Sequence, residues 1–462
     1  MRKLIVGGVL AVLVVAATGC KIVVTPTATQ GWFFLNEGAN GSGYFVNGPG
    51  DPPAGRGSAL LTIDGTGREA IATTRYAGVG LAALSHLQYS TYQAFSGSPN
   101  ETLYLQFDVD YDSTDGTTAY QGRLVYVPSA AHSVTPGEWQ DWDTMSGGAA
   151  WYSSGSGAST FRPIVGGAIQ ENPPCTQATD CTWQTVMDEY PNARIRPSVG
   201  LLLVRAGGPV AGGFVGATDN VIIGIGGEPI ENNFEPGDGH IPVTPSTAAG
   251  LGFSFAEETA TGSGAFVGGP NGSDGSGSAE LTVDATGGMA LANGLFAGTR
   301  LDDLRFLSYK TYQSDVGPHA TTLQLDADYD ATDGSTAFQG RAVFEPSQSG
   351  QATVTNETWQ TWNPLTAPSG WWQTGNAIVN GVNVGQACTQ ASPCSFAELL
   401  AAYPDVAIRP VTQQVGGQPI AGGVWLKAGG GWAPGFTGHV DSFTAAVDVG
   451  GVNGTVTYDF EP

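Results

Sequence analysis

The chain is short of charge. Acidic and basic residues make up 13% of its 462 positions, and only 17 are lysine or arginine against 41 aspartate or glutamate. A formal net charge of −24 repels phosphate, which argues against nucleic acid and anionic lipid headgroups as partners. Histidine is scarce too: His86, His132, His240, His319 and His439 do not fall at matching places in the internal repeat described below. With no Gly-x-Ser-x-Gly elbow and no phosphate loop, serine-hydrolase and nucleotide chemistry have no motif to rest on. Beyond the first twenty residues no run is long and apolar enough to span a bilayer as a helix. What abounds is glycine, 69 residues, with 28 prolines, the composition of short strands and turns.

The opening MRKLIVGGVLAVLVVAATGC has a basic start at Arg2 and Lys3, an apolar core from Leu4 to Ala17, and the small-residue stretch Ala17-Thr18-Gly19-Cys20. It resembles a bacterial lipoprotein signal. That resemblance implies cleavage before Cys20 and lipid attached to Cys20, so the rest of the chain is expected outside the cytoplasm, held to a membrane through the lipid alone. Loss of Arg2 and Lys3 would take the formal net charge from −24 to −26.

Self-comparison reveals a tandem duplication. YFVNGP at 44–49 matches AFVGGP at 265–270, GSALLTID at 57–64 matches GSAELTVD at 277–284, and LQYSTYQ at 87–93 matches LSYKTYQ at 307–313. YQGRLVYVP at 120–128 recurs as FQGRAVFEP at 338–346, and both units close on Phe-Glu-Pro, at 234–236 and 460–462. So long a period means two domains rather than a solenoid. The expected layout is a signal at 1–20, a tether at 21–30, repeat 1 at 31–236, a polar linker at 237–248 and repeat 2 at 249–462. Alternating runs such as LLTID and RLVYVP, punctuated by Gly, Pro, Asn and Asp, predict an all-β fold of two antiparallel sandwiches of jelly-roll type.

One short helix per repeat is expected. Ser395 and Glu398 form a capping box, Phe396, Leu399, Leu400 and Tyr403 an apolar face, and Pro404 the stop. Trp183, Val186 and Tyr190 repeat the face in the first copy. Before each helix lie Cys175 and Cys181, or Cys388 and Cys394, each a C-x5-C pair with no histidine beside it. In an exported protein this spacing predicts two local disulfides rather than metal sites.

The stretch DVDYDSTDG at 108–116, repeated as DADYDATDG at 326–334, asks for an explanation. A turn at Asp115-Gly116 sets Asp112 opposite Ala119, Asp110 opposite Gln121 and Asp108 opposite Arg123, with Tyr111 and Tyr120, Phe107 and Leu124, and Leu105 and Tyr126 paired on the other face. In the second copy Asp333-Gly334 turns the chain, Asp328 meets Gln339 and Asp326 meets Arg341. Three readings remain open. The aspartates are the polar face of a hairpin. Alternatively Asp108, Asp110 and Asp112, with Asp326, Asp328 and Asp330, hold calcium, the one cofactor the ladder suggests; the EF-hand glycine and glutamate are absent, and alternate side chains lie about 7 Å apart on a strand. Or the ladder faces a ligand groove, where Asp108, Asp110, Gln121, Arg123 and their counterparts Asp326, Asp328, Gln339 and Arg341 bind sugar hydroxyls. Trp139 and Trp142, or Trp359 and Trp362, would then supply plates for sugar rings, as could Trp151 and Trp371 to Trp372.

The closing segments GGFVGATDNVIIG at 212–224 and PGFTGHVDSFTAA at 434–446, each followed by a strand ending in Phe-Glu-Pro, resemble the terminal strands of concanavalin A-like jelly-roll domains. This implies a lectin-like sandwich without by itself implying sugar binding. The ladders are also similar in spacing to those of family-16-type glucanases, but have Asp where that family has Glu and set Arg123 opposite Asp108. Non-catalytic recognition of an envelope or extracellular polysaccharide is therefore the favoured function. The competing class is a structural or adhesive surface protein with no small-ligand site.

Overall fold

A computed structural model describes residues 20–462 except 39, 99, 155–161, 209, 228, 238, 260, 315–316, 336, 411–413, 416–417, 420–422, 430–431, 433–434 and 448–454. The signal segment 1–19 lies outside them. Among the described residues the regular structure is almost entirely strand, and every sheet is built within one half of the chain, before or after residue 236.

Each half is a two-sheet sandwich. In repeat 1 the first sheet runs Cys20–Val24, Pro229–Phe234, Phe214–Ile225, Gly57–Ile63 and Gly41–Asn47, with Leu84–Ser96 and Trp139–Asp143 continuing it beside Phe214–Ile225. The second sheet runs Trp151–Ser153, Arg123–Tyr126, Tyr104–Asp110, Leu202–Gly207, Arg68–Thr73 and Trp32–Gly38. Repeat 2 reproduces both arrangements strand for strand, for example with Gly435–Val447 for Phe214–Ile225 and Thr322–Asp328 for Tyr104–Asp110. Alternation drives the layering: Leu105, Phe107 and Leu124 point into the sandwich and are fully buried, and each such side chain contributes about 1.5–3 kcal/mol by leaving water.

The expected tether and linker are corrected in part. Cys20–Val24 pairs in parallel with Pro229–Phe234, and Gly239–Val243 pairs in parallel with Thr455–Phe460. Val24 and Val243 are both fully buried, so these segments are edge strands of their repeats, anchored where an apolar residue reaches the core. Their sequences carry no alternation long enough to announce it.

Local predictions fare better. Cys175–Cys181 and Cys388–Cys394 are disulfides with Cα–Cα distances of 5.4 and 5.6 Å, suited to the bond. Each precedes a helix, Trp183–Glu189 capped by Thr182 and Phe396–Ala402 with the full Ser395/Glu398 capping box. Among the described residues no helix is long and apolar enough to cross a membrane.

The repeats meet through one face of repeat 1. Val46, Leu60, Tyr92 and Ala217 stand on the outer side of its first sheet and join one packed apolar cluster with Ala248, Leu251, Leu295 and Phe296 of repeat 2. The turn Ala249–Leu251 lies against the strands Gly41–Asn47 and Gly57–Ile63. Approach is close at Gly48, where φ is +63° and a Cβ would stand 2.7 Å from the Leu295 carbonyl oxygen, so glycine is required on both counts.

Candidate functional site

The aspartate ladders begin as predicted. Leu105 pairs with Tyr126, Phe107 with Leu124 and Asp108 with Arg123, and Asp326 likewise pairs with Arg341. Strand pairing ends there. Asp110 and Asp328 keep their expected glutamines only through side chains, Gln121 Nε2 donating at 3.4 Å and Gln339 Nε2 at 3.2 Å. In place of the Asp112–Ala119 pair, Asp112 accepts from the backbone N–H of Thr114 and Gly166, at 3.0 and 2.9 Å.

Far from facing solvent, the six aspartates Asp108, Asp110, Asp112, Asp326, Asp328 and Asp330 are all buried, none above 7% exposure. The cover comes from 39 to 50 residues further on: Ile164 donates to Gln121 and Ile378 to Gln339, both at 2.8 Å, while Asn380 donates to Asp330 at 2.9 Å. Arg123 Nε bonds Asp108 at 2.8 Å, Arg341 Nε bonds Asp326 at 2.7 Å, and Arg194 bonds Asp110 at 2.8 Å. Hydrogen bonds from the Thr114 and Thr332 side chains, then from the backbone of Gly166 and Asn380, hold the Asp112 and Asp330 carboxyls below their ordinary range. Asp328 goes the other way, raised chiefly by burial. Ala407 stands opposite it where Arg194 stands opposite Asp110.

This arrangement corrects two expectations. Among the described residues no cluster of three or more His, Cys, Asp or Glu is arranged to hold a metal ion, and the calcium ladder is one of the arrangements this leaves out. The carboxylates are spaced along a strand and already satisfied by protein donors. Asp108, Asp110 and Gln121, with Asp326, Asp328 and Gln339, are likewise consumed internally and do not line an open groove.

The tryptophans also divide. Trp142 and Trp362 are core residues at 4% and 0% exposure, each indole N–H donating at 2.8 Å to a buried threonine, Thr91 or Thr311. They are not sugar plates. Trp139 and Trp359 are half-buried and lean on Tyr92 and Tyr312, on the outer side of the first sheet. The ladder belongs to the second sheet, so ladder and Trp139 or Trp359 do not form one site. The spacing contained this answer: residues three apart on a strand point to opposite faces. Trp151 and Trp371 are fully buried, but Trp372 is not.

Trp372 leads to a site the motif search did not assemble. On the outer side of the second sheet of repeat 2, a cavity of about 400 Å³ is lined by Thr322, Gln324, Phe338, Arg341, Glu345 and Trp372, among others. Thr322, Gln324, Arg341 and Trp372 come from neighbouring strands, on the side opposite the buried Leu323, Leu325 and Phe344, while Phe338 comes from the loop that leads into Arg341–Phe344. Phe338 is 53% exposed. Arg341 lies flat over the Trp425 ring, its guanidinium carbon 4.0 Å from the centroid, while bonding Asp326 and Gln324. The ladder is thus one wall support of the cavity: it fixes the arginine. Chemically the cavity offers aromatic surface, the amides of Gln324 and Gln390, the Arg341 guanidinium, the Lys427 ammonium and the Glu345 carboxylate, in the size range of small-ligand sites.

A second duplicated feature escaped the sequence reading. Asp219 and Asp441 are fully buried, and burial pushes their carboxyls up to about 8 and about 7. Each accepts from a backbone N–H of the last strand, Phe234 or Phe460, and from the loop at Ala54 or Asp274. They pin that loop to the Phe-Glu-Pro strand.

No protein-family model matches the chain, and a search of curated proteins finds no match. Among solved structures, the N-terminal CBM22-1–CBM22-2 tandem domain of Paenibacillus barcinonensis Xyn10C aligns over 91% of this chain and 94% of its own, at 10% identity and a TM-score of 0.23. A structure described for the promiscuous specificity of carbohydrate-binding modules of the β-sandwich superfamily aligns over 88% of this chain and 98% of its own, at 11% identity and a TM-score of 0.21. Paenibacillus xanthan lyase aligns over 90% of this chain but 26% of its own, at 9% identity and a TM-score of 0.16. At such scores these alignments carry no argument about the ligand.

Proposed function

We propose that the chain is a lipid-anchored protein of the bacterial cell envelope, facing outside the cytoplasm, that binds polysaccharide without catalysis. The observation that carries the binding reading is the cavity on the outer side of the second sheet of repeat 2, where Trp372 and Phe338 flank Gln324 and Arg341. Aromatic faces pack against the C–H surfaces of sugar rings, and fixed planar donors set hydroxyl orientation. Anchoring rests on the signal-like opening and on Cys20, a free, exposed cysteine that is the first residue of the first strand. The non-catalytic reading is supported by the ladder carboxylates, which are engaged by protein donors and not presented to a substrate.

A glycan and cell-wall-polymer array, run with the chain lacking residues 1–19 in calcium and again in chelator, tests the binding. Selective retention in both conditions is expected. Loss in chelator would restore a metal to the site, and silence in both would leave the competing reading, a structural or adhesive pair of modules. Cys20→Ser in the full chain tests anchoring: release from the membrane fraction is expected, and unchanged retention would contradict it.

A further inference from the structure

We propose that repeat 2 alone carries the glycan groove and that its ligand is an uncharged polysaccharide, an inference that rests on the binding function proposed above. The two second sheets share register, so each groove residue has a counterpart. Thr322 answers to Tyr104, both paired across to the neighbouring strand at Lys427 and Arg205. Trp372, paired with Val343, answers to Tyr152, paired with Val125. Trp425, paired with Gln324, answers to Leu203, paired with Gln106.

The decisive exchange is tyrosine for threonine. In repeat 1 the Tyr104 ring lies half-buried beside Tyr152 and Arg205, its hydroxyl donating to Glu101, and so fills the ground between strands. In repeat 2 Thr322 turns its hydroxyl to the Lys427 carbonyl at 3.1 Å and leaves that ground to the cavity. The exchange of Leu203 for Trp425 then gives Arg341 an aromatic floor to stack on. A small residue at the centre with Trp372 and Phe338 at the margins makes a groove for a flat, apolar-faced ring.

Charge selects within that shape. Arg341 is committed to Asp326 at 2.7 Å and to Gln324 at 3.2 Å, and the lining carries Glu345 as well as Lys427. With a formal net charge of −24 on the whole chain, an anionic polymer is repelled on approach. A neutral hexose or pentose polymer is not.

Affinity electrophoresis of the chain lacking residues 1–19, through gels containing neutral glucomannan, xylan or hydroxyethylcellulose and separately anionic polygalacturonate, tests this. Retardation by at least one neutral polymer and none by polygalacturonate is expected. Phe338→Ala and Trp372→Ala should each weaken binding at least tenfold. Thr322→Tyr, which installs the repeat 1 residue, should do the same without shifting the melting temperature by more than a few degrees. Tyr152→Ala should change affinity less than twofold. Binding that survives Phe338→Ala and Trp372→Ala but fails in Tyr152→Ala would overturn the assignment to repeat 2 while sparing the binding function. Retardation by polygalacturonate would overturn the ligand class. No retardation by any polymer would overturn the binding function and this inference with it.

Discussion

Leu60 and Glu280 stand at the same place in the two first sheets, one paired with Ala217 and the other with His439. Leu60 is fully buried at the junction between repeats, whereas Glu280 keeps 38% of its side chain exposed, with His439 Nε2 3.7 Å away. Tyr92 and Tyr312 divide in the same way: the first is sealed in the junction cluster, the second leans on Trp359 and His439. A duplicated fold therefore does not keep its surfaces. The repeat that is covered has become apolar at the covered face, and the repeat whose same face carries none of the other repeat's described residues has a carboxylate and an imidazole there. On the second sheets Tyr104 and Thr322 make a parallel division between a filled face and an open one.

Exchanging the junction residues should break this comparison most strongly. Leu60→Glu places an unpaired carboxylate in an apolar junction and is expected to cost about 3 kcal/mol or more in urea denaturation. Glu280→Leu, at an open face, should stay within about 0.5 kcal/mol. Equal costs would mean that the face of repeat 1 is not packed against repeat 2. Next come the disulfides, where the repeats should agree: replacing both cysteines of either pair by serine should cost about 2 kcal/mol, as expected for closing so short a loop.

The helix caps sharpen the contrast on a smaller scale. Ser395→Ala removes a full capping box and Thr182→Ala a single cap bond, so losses of about 1 kcal/mol are expected, with the larger at Ser395. Smallest is a change of slope with pH. Burial alone would raise the Glu37 carboxyl, but the hydrogen bonds and charges of Arg123 and Arg205 together bring it below its ordinary 4.5. A depressed carboxyl stabilises the fold above 4.5, and that contribution fades as the pH falls below it. The stability gap between the wild-type chain and Glu37→Gln should therefore narrow in acid and stay constant from neutral pH upward. A gap that widens in acid would reverse the assignment.

Much of the framework was legible because its causes are local. The ladder register follows from a period of two and an Asp-Gly turn, the helices from cap and face, and the disulfides from a spacing of six residues. The illegible parts are long-range. Nothing in DVDYDSTDG tells that a segment around Ile164 folds over its glutamine, and nothing in CKIVV tells that it pairs in parallel with a strand more than 200 residues on. The cavity of repeat 2 was half legible: Arg341 and Trp372 stood among the candidates, but Thr322 matters for what it lacks, and only its alignment with Tyr104 exposes that. Differences between the copies, more than their shared motifs, point to the site.

The most direct test of the central claim is a titration calorimetry pair, Trp372→Ala against Tyr152→Ala, with a neutral oligosaccharide taken from a polymer that retards the wild-type chain. The account predicts one site per chain, affinity lowered at least tenfold in Trp372→Ala and essentially unchanged in Tyr152→Ala. Two equivalent sites, or equal losses in both variants, would contradict it.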